Sequence, residues 1–74
     1  MDLGSFVAGV EIIRKYYSVQ DGHHLAAEHD QIYLYPTDHP MSDEDIAVVK
    51  DHGWFQDDVS GDEYDPTSSW SCYV

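Results

Sequence analysis

The sequence predicts a small α+β domain with the order α, β, β, α, β, β, in which two helices cover one face of an antiparallel sheet. Apolar residues recur at helical spacing in residues 3–17 and again in 42–52, whereas residues 31–35 alternate as a strand does. At 74 residues, the chain has room for one domain, residues 1–74, because a fold of this size buries only about 60% of its unfolded surface. Helices on one sheet face are the simplest arrangement that buries both helical stripes.

The first helix is predicted over residues 3–17. Its apolar face consists of Leu3, Phe6, Val10, Ile13 and Tyr17. Asp2 or Ser5 can cap the start of this helix, and Glu11 lies four residues before Lys15, which favours a helical ion pair. Gly9 weakens the helix and indicates close approach of a neighbouring element.

A β-hairpin is predicted next, with strands at residues 24–28 and 31–35 joined by His29 and Asp30. Ile32 and Leu34 alternate with tyrosines, so we expect these two side chains to face the core. Pro36 ends the second strand because proline cannot donate to a ladder.

The second helix, residues 42–52, has the clearest start signal in the chain. Ser42 is the expected N-cap, and Asp45 stands at the third helical position, as in a variant of the capping box. Met41 and Ile46 have the spacing of a hydrophobic staple. Gly53 fits a left-handed cap after the last turn.

The remaining chain is predicted to form a third strand at residues 54–56, a polar loop at 57–69 and a fourth strand at 70–74. The aromatic residues divide into a set expected in the core and a set expected on the outer sheet face. The core set is Trp54, Phe55, Trp70 and Tyr73, and the outer set is Tyr33, Tyr35 and Tyr64. Tyrosine beside carboxylates is typical of protein-binding surfaces, so the outer set is a candidate contact surface.

Charge is the strongest functional indication. The chain has 15 acidic and three basic residues and a net charge of -12. So few bases cannot neutralise many phosphates, which argues against binding to nucleic acids or an anionic membrane. The acids repel one another, so we expect salt or a cationic partner to stabilise the fold. A single cysteine, Cys72, and the lack of a signal segment or a long apolar run indicate a cytoplasmic protein.

The sequence predicts no metal, cofactor or catalytic site. His23, His24 and His29 lie close together but lack zinc-site spacing, and the acids of residues 57–65 are out of register for a calcium loop. Cys72 in an apolar strand is typical of a small buried residue. We therefore expect a binding protein and not an enzyme.

Carboxylates on and after the second helix form the candidate partner-binding set. They are Asp43, Glu44, Asp45, Asp51, Asp57, Asp58, Asp62, Glu63 and Asp65. The first three have a structural explanation, because acids favour the start of a helix. The loop after Trp54 therefore has the stronger functional claim, with the helix as its rigid support.

In size and acidity, with these carboxylates, the chain resembles small acidic inhibitors encoded by phages and mobile elements, including DNA-mimicking anti-CRISPR proteins. The resemblance implies a monomer or weak dimer in the host cytoplasm that binds a basic nucleic-acid-binding protein or ribonucleoprotein complex. Such inhibitors have many unrelated folds, so the resemblance implies no particular site residue. The alternative is an ordinary interaction module or subunit that binds through its tyrosine-bearing sheet face or an edge strand.

Overall fold

The computed structural model describes residues 1–19, 21–57 and 65–74. Its elements are α1 (Leu3–Arg14), β1 (Leu25–Glu28), β2 (Gln31–Leu34), α2 (Asp43–Asp51) and β3 (Trp70–Tyr73). The strands form an antiparallel sheet in the order β1-β2-β3. The predicted α+β class is confirmed.

Helix α1 begins as predicted and ends earlier. The Asp2 carboxylate accepts a hydrogen bond from the Ser5 amide at 2.7 Å and so caps the helix. After Arg14 the chain tightens, because the Tyr16 amide bonds to the Ile13 carbonyl three residues back. Tyr17 still reaches the core from this tighter turn.

The hairpin forms with the predicted loop. Glu28 pairs with Gln31, which leaves His29 and Asp30 as a two-residue connection. His29 has a φ of 56°, a conformation that tight hairpin turns require and that usually favours glycine. On the other side of β2, Leu34 pairs with Trp70, so β2 is the central strand.

The prediction of a strand at residues 54–56 was wrong. Within the described residues, this segment contributes a single bridge between Phe55 and Ser71, with N–O distances of 2.9 and 2.7 Å. After this bridge, the buried Gln56 side chain binds backbone groups of the 65–68 turn, and Asp57 enters a turn of its own. The last strand is also one residue shorter than predicted, since β3 ends at Tyr73.

Both helices contribute to a core on the sheet face that bears Leu34 and Trp70. The buried apolar residues are Ile13, Tyr17, Leu34, Met41, Ile46, Val49, Trp54, Trp70 and Cys72. Met41 and Ile46 lie together in this cluster, as the staple predicts. Gly53 adopts the expected left-handed cap, with a φ of 92°. The described part of the chain contains no helix with the length and apolar character needed to cross a membrane.

The predicted close approach at Gly9 is confirmed. A Cβ atom at this position would lie 2.0 Å from Nε1 of Trp54, which is far inside van der Waals contact. The Trp54 indole also donates to the Ser5 carbonyl at 3.3 Å. Gly9 therefore allows the indole to lie directly on α1.

We predict that Gly9→Ala lowers the free energy of unfolding by about 2–3 kcal/mol, because the new methyl group overpacks the contact with Trp54. Urea denaturation followed by tryptophan fluorescence measures this change. The matched control is Gly4→Ala, whose Cβ would approach no closer than 3.4 Å to Asp2 Oδ1. It should leave stability unchanged or raise it by up to about 1 kcal/mol. If Gly9→Ala were instead as stable as Gly4→Ala, the gain in helix propensity would outweigh any clash with the indole, and the assigned contact would be contradicted.

Candidate functional site

The first turn of α2 presents two exposed carboxylates, those of Asp43 and Glu44. The turn is fixed because the Ser42 side chain accepts a hydrogen bond from the Asp45 amide at 3.2 Å. Its remaining amide groups and the helix dipole favour negative charge at this place. Asp43 and Glu44 are therefore available to a partner and also stabilise the helix.

Asp45 differs from its two neighbours because its carboxylate is engaged inside the molecule. Oδ2 accepts a hydrogen bond from the Tyr16 hydroxyl at 2.5 Å and lies 3.3 Å from Lys15 Nζ. The hydrogen bond from Tyr16, aided by Lys15, holds the pKa of Asp45 below its usual range. The predicted pairing of Lys15 with Glu11 is thus replaced by a bond from the end of α1 to the start of α2.

Asp51 is the last residue of α2 and is exposed. Negative charge at the C-terminal end of a helix opposes the helix dipole, so this acid contributes nothing to helix stability. Among the predicted residues that the structure describes, Asp51 is the one whose position has no structural explanation.

Asp57 is tied to the outer face of the sheet. Its Oδ2 accepts a hydrogen bond from Gln31 Nε2 at 2.6 Å, and Gln31 Oε1 accepts one from the Tyr33 hydroxyl at 3.1 Å. This chain of hydrogen bonds joins the acid after Trp54 to strand β2. Sequence reasoning missed the link, since Gln31 and Asp57 are 26 residues apart.

Asp65 forms a turn. Its Oδ1 accepts bonds from the amide and hydroxyl of Thr67, at 2.9 and 3.0 Å, and the amide bond is the main reason that the pKa of Asp65 lies below its usual value. Its backbone is held by Gln56. Asp58, Asp62 and Glu63 lie outside the described residues. Most of the loop that the sequence favours as the partner-binding segment is therefore outside them as well.

The two basic residues at the end of α1 are both in ion pairs. Arg14 lies 2.9 Å from the Asp21 carboxylate, and Lys15 pairs with Asp45. These pairs join α1 to the segments that follow it. Both bases therefore compensate acids other than the exposed Asp43, Glu44 and Asp51.

The outer sheet face carries aromatic side chains that were partly assigned to the core. Phe55 and Tyr73 stack with ring centroids 5.1 Å apart, and Tyr73 is 59% exposed. The prediction that both fill the core was wrong, whereas Trp54 and Trp70 are buried as expected. The alternation in β3 already places Tyr73 opposite Trp70 and Cys72, and this signal was sufficient to find it. Tyr64 is outside the described residues.

The histidines of the hairpin region have separate environments. The rings of His24 and Tyr17 stack with their centroids 3.9 Å apart, and Nε2 of His24 lies 2.6 Å from the Val19 carbonyl oxygen. Nε2 of His29 lies 3.9 Å from the Glu28 carboxylate. Residues 1–19, 21–57 and 65–74 contain no group of three or more histidine, cysteine or acidic side chains arranged to hold a metal ion. Burial raises the pKa of the Cys72 thiol, which keeps it protonated and unreactive.

We predict that Tyr16→Phe lowers the free energy of unfolding by about 1–2 kcal/mol at pH 7, because the charged Asp45 loses a hydrogen-bond donor. The folded pKa of Asp45 lies below its ordinary value of 3.8, so the stabilisation is complete above that pH and is lost as the pH falls further. The stability difference between Tyr16→Phe and the original protein should therefore narrow below about pH 4. Urea titrations from pH 7 to pH 3 measure the difference. Tyr35→Phe, at an exposed tyrosine, is the control, and a pH-independent difference would contradict the assignment.

A scan against protein-family models, a search of curated proteins and a search of solved structures each found no match to this chain. No residue role can therefore be transferred from another protein. The function has to be inferred from the side chains themselves.

Proposed function

We propose that this chain is an acidic inhibitor that presents a DNA-like negative surface to a basic nucleic-acid-binding protein or ribonucleoprotein complex of a host cell. An anti-CRISPR protein is one form that such an inhibitor takes. The observation that supports the proposal most directly is the arrangement of charge around α2. Asp43, Glu44 and Asp51 are exposed, while the two bases of the α1 end are already paired with other acids.

The physical basis is electrostatic. A groove lined with lysine and arginine attracts a surface of net charge -12 over a long range, which accelerates association. Carboxylates held on a helix supply fixed negative charges, because α2 is anchored to the core through Ile46 and Val49. The inhibitor would then compete with nucleic acid for the same groove, and salt would weaken both interactions.

The open edge of the sheet favours a second candidate function, an ordinary interaction module. Strand β1 is an edge strand of the sheet, and its Leu25 side chain is 60% exposed. An edge strand can pair with a strand of another protein through backbone hydrogen bonds. Binding of this kind depends on apolar area and backbone pairing, so it should tolerate salt.

We predict that Asp43→Asn with Glu44→Gln weakens binding to the host partner by about tenfold at low salt, because two exposed charges are removed. The partner is captured from a lysate on the immobilised chain, eluted with a defined DNA duplex and then titrated with the purified inhibitor across a salt series. We expect a DNA-binding protein whose affinity for the inhibitor falls steadily as salt rises.

The matched control is Glu11→Gln with Asp38→Asn, which removes the same charge from exposed positions away from α2. It should weaken binding by less than the α2 variant does. A partner that DNA does not displace, or an affinity that is the same at low and high salt, would refute the mimic and favour pairing through β1.

A further inference from the structure

Three aromatic side chains, Tyr33, Phe55 and Tyr73, form what we call the aromatic patch on the outer face of the sheet. Tyr33 and Phe55 flank Ser71 from opposite sides, because each of them pairs with Ser71 in the sheet. Tyr73 stacks on Phe55. Ser71 itself is only 1% exposed although it lies between Tyr33 and Phe55 on the outer face.

Carboxylates border the aromatic patch. Glu28 pairs with Gln31 on the neighbouring strand, and Asp57 accepts the hydrogen bond from Gln31. Burial raises the pKa of Tyr33, and the nearby charges of Glu28 and Asp57 raise it further. Both acids are therefore close enough to act electrostatically on the ring at the centre of β2.

Neither the hairpin of β1 and β2 nor residues 54–57 contain a lysine or arginine, and His29 lies 3.9 Å from the Glu28 carboxylate. The bases of the chain are Arg14, Lys15 and Lys50. Arg14 and Lys15 are at the end of α1, and Lys50 is in α2, and both helices pack on the opposite sheet face. The aromatic patch thus combines the exposed ring of Tyr73 and the half-buried rings of Tyr33 and Phe55 with carboxylates on the sheet face opposite the helices.

We propose that the aromatic patch is a docking site for an arginine side chain of the basic partner, so this inference rests on the proposed function and specifies where the partner binds. A guanidinium group stacks on an aromatic ring and donates in its own plane to carboxylates. The stacked Tyr73 and Phe55 supply the ring faces, and Glu28 and Asp57 supply the acceptors.

Arginine fits this arrangement better than the other candidate occupants. Lysine carries a compact, strongly hydrated charge and does not bond to two acceptors in a plane. Nucleic acid is repelled by the carboxylates, although bases can stack on aromatic rings. The hydrogen bond from Gln31 uses one oxygen of Asp57 and fixes the orientation of the carboxylate, so less conformational freedom is lost when a guanidinium binds.

The test titrates a tetra-arginine peptide into the isotopically labelled protein at low salt and follows the amide signals by NMR, with tetralysine as the comparison peptide. We expect tetra-arginine to bind more tightly and to shift the signals of Tyr33, Phe55 and Tyr73. Tyr73→Leu, which keeps apolar area but removes the ring, should weaken tetra-arginine binding by about two- to fivefold. Glu28→Gln with Asp57→Asn should weaken it by about tenfold.

Two further variants separate local from general charge effects, and circular dichroism confirms that each variant is folded. Glu11→Gln with Asp38→Asn removes the same charge elsewhere and should weaken binding less than Glu28→Gln with Asp57→Asn. Equal losses in these two variants would overturn the inference. A larger loss from Asp43→Asn with Glu44→Gln would also overturn it, because the arginine would then bind at α2, and the proposed function would stand.

The remaining outcomes are equally decisive. Binding that Tyr73→Leu leaves unchanged would exclude the stacked guanidinium. A dimer that Tyr73→Leu dissociates would show that a second copy covers the aromatic patch and would overturn the inference as well. Absence of salt-sensitive binding to both peptides overturns the inference alone, because the host partner is assayed separately. If no DNA-displaceable partner is captured while tetra-arginine still binds at the aromatic patch, the proposed function fails and the arginine site remains.

Discussion

The packing of the Trp54 indole on Gly9 is the contact on which the arrangement of this small domain depends. The ring lies against α1, and its Nε1 donates to the Ser5 carbonyl. The backbone amide of Trp54 donates to the Val49 carbonyl at the end of α2. The next residue, Phe55, bridges to β3. Trp54 and its neighbour thus join both helices to the sheet.

The acids of this protein serve two different purposes. Asp2 caps α1, Asp45 joins the two helices and Asp65 closes a turn, and hydrogen bonds hold the pKa of each below its usual value. These carboxylates stabilise the fold because their charge is satisfied in place. Asp43, Glu44 and Asp51 are exposed, and dissolved ions screen the repulsion between such surface charges.

Asp57 connects the two surfaces that our proposals concern. It follows the α2 acids in the chain, and through Gln31 it is fixed to the sheet beside Tyr33. A basic partner that reaches from the α2 acids to the aromatic patch would combine long-range attraction with one well-defined contact. Attraction between charges accelerates association, and an aromatic anchor slows dissociation, so the two features act on different steps of binding.

The sequence by itself determined the elements whose signals are local. The cap at Ser42, the loop of His29 and Asp30, and the left-handed Gly53 each depend on residues a few positions apart, and all were predicted correctly. Asp2, which caps α1, was one of two predicted candidates. The close approach at Gly9 was also predicted, although its partner Trp54 was not.

Only the tertiary structure decided what depends on distant residues. The Asp45 carboxylate binds Lys15 and Tyr16, because the end of α1 brings a cation and a hydroxyl to it. Residues 54–56 make one bridge and no strand, and the Gln56 side chain binds the distant 65–68 turn. Phe55 lies on the outer face, where its ring stacks on Tyr73. Competition among partners far apart in sequence cannot be read from spacing, and this is why the sequence predicted the fold better than the candidate site.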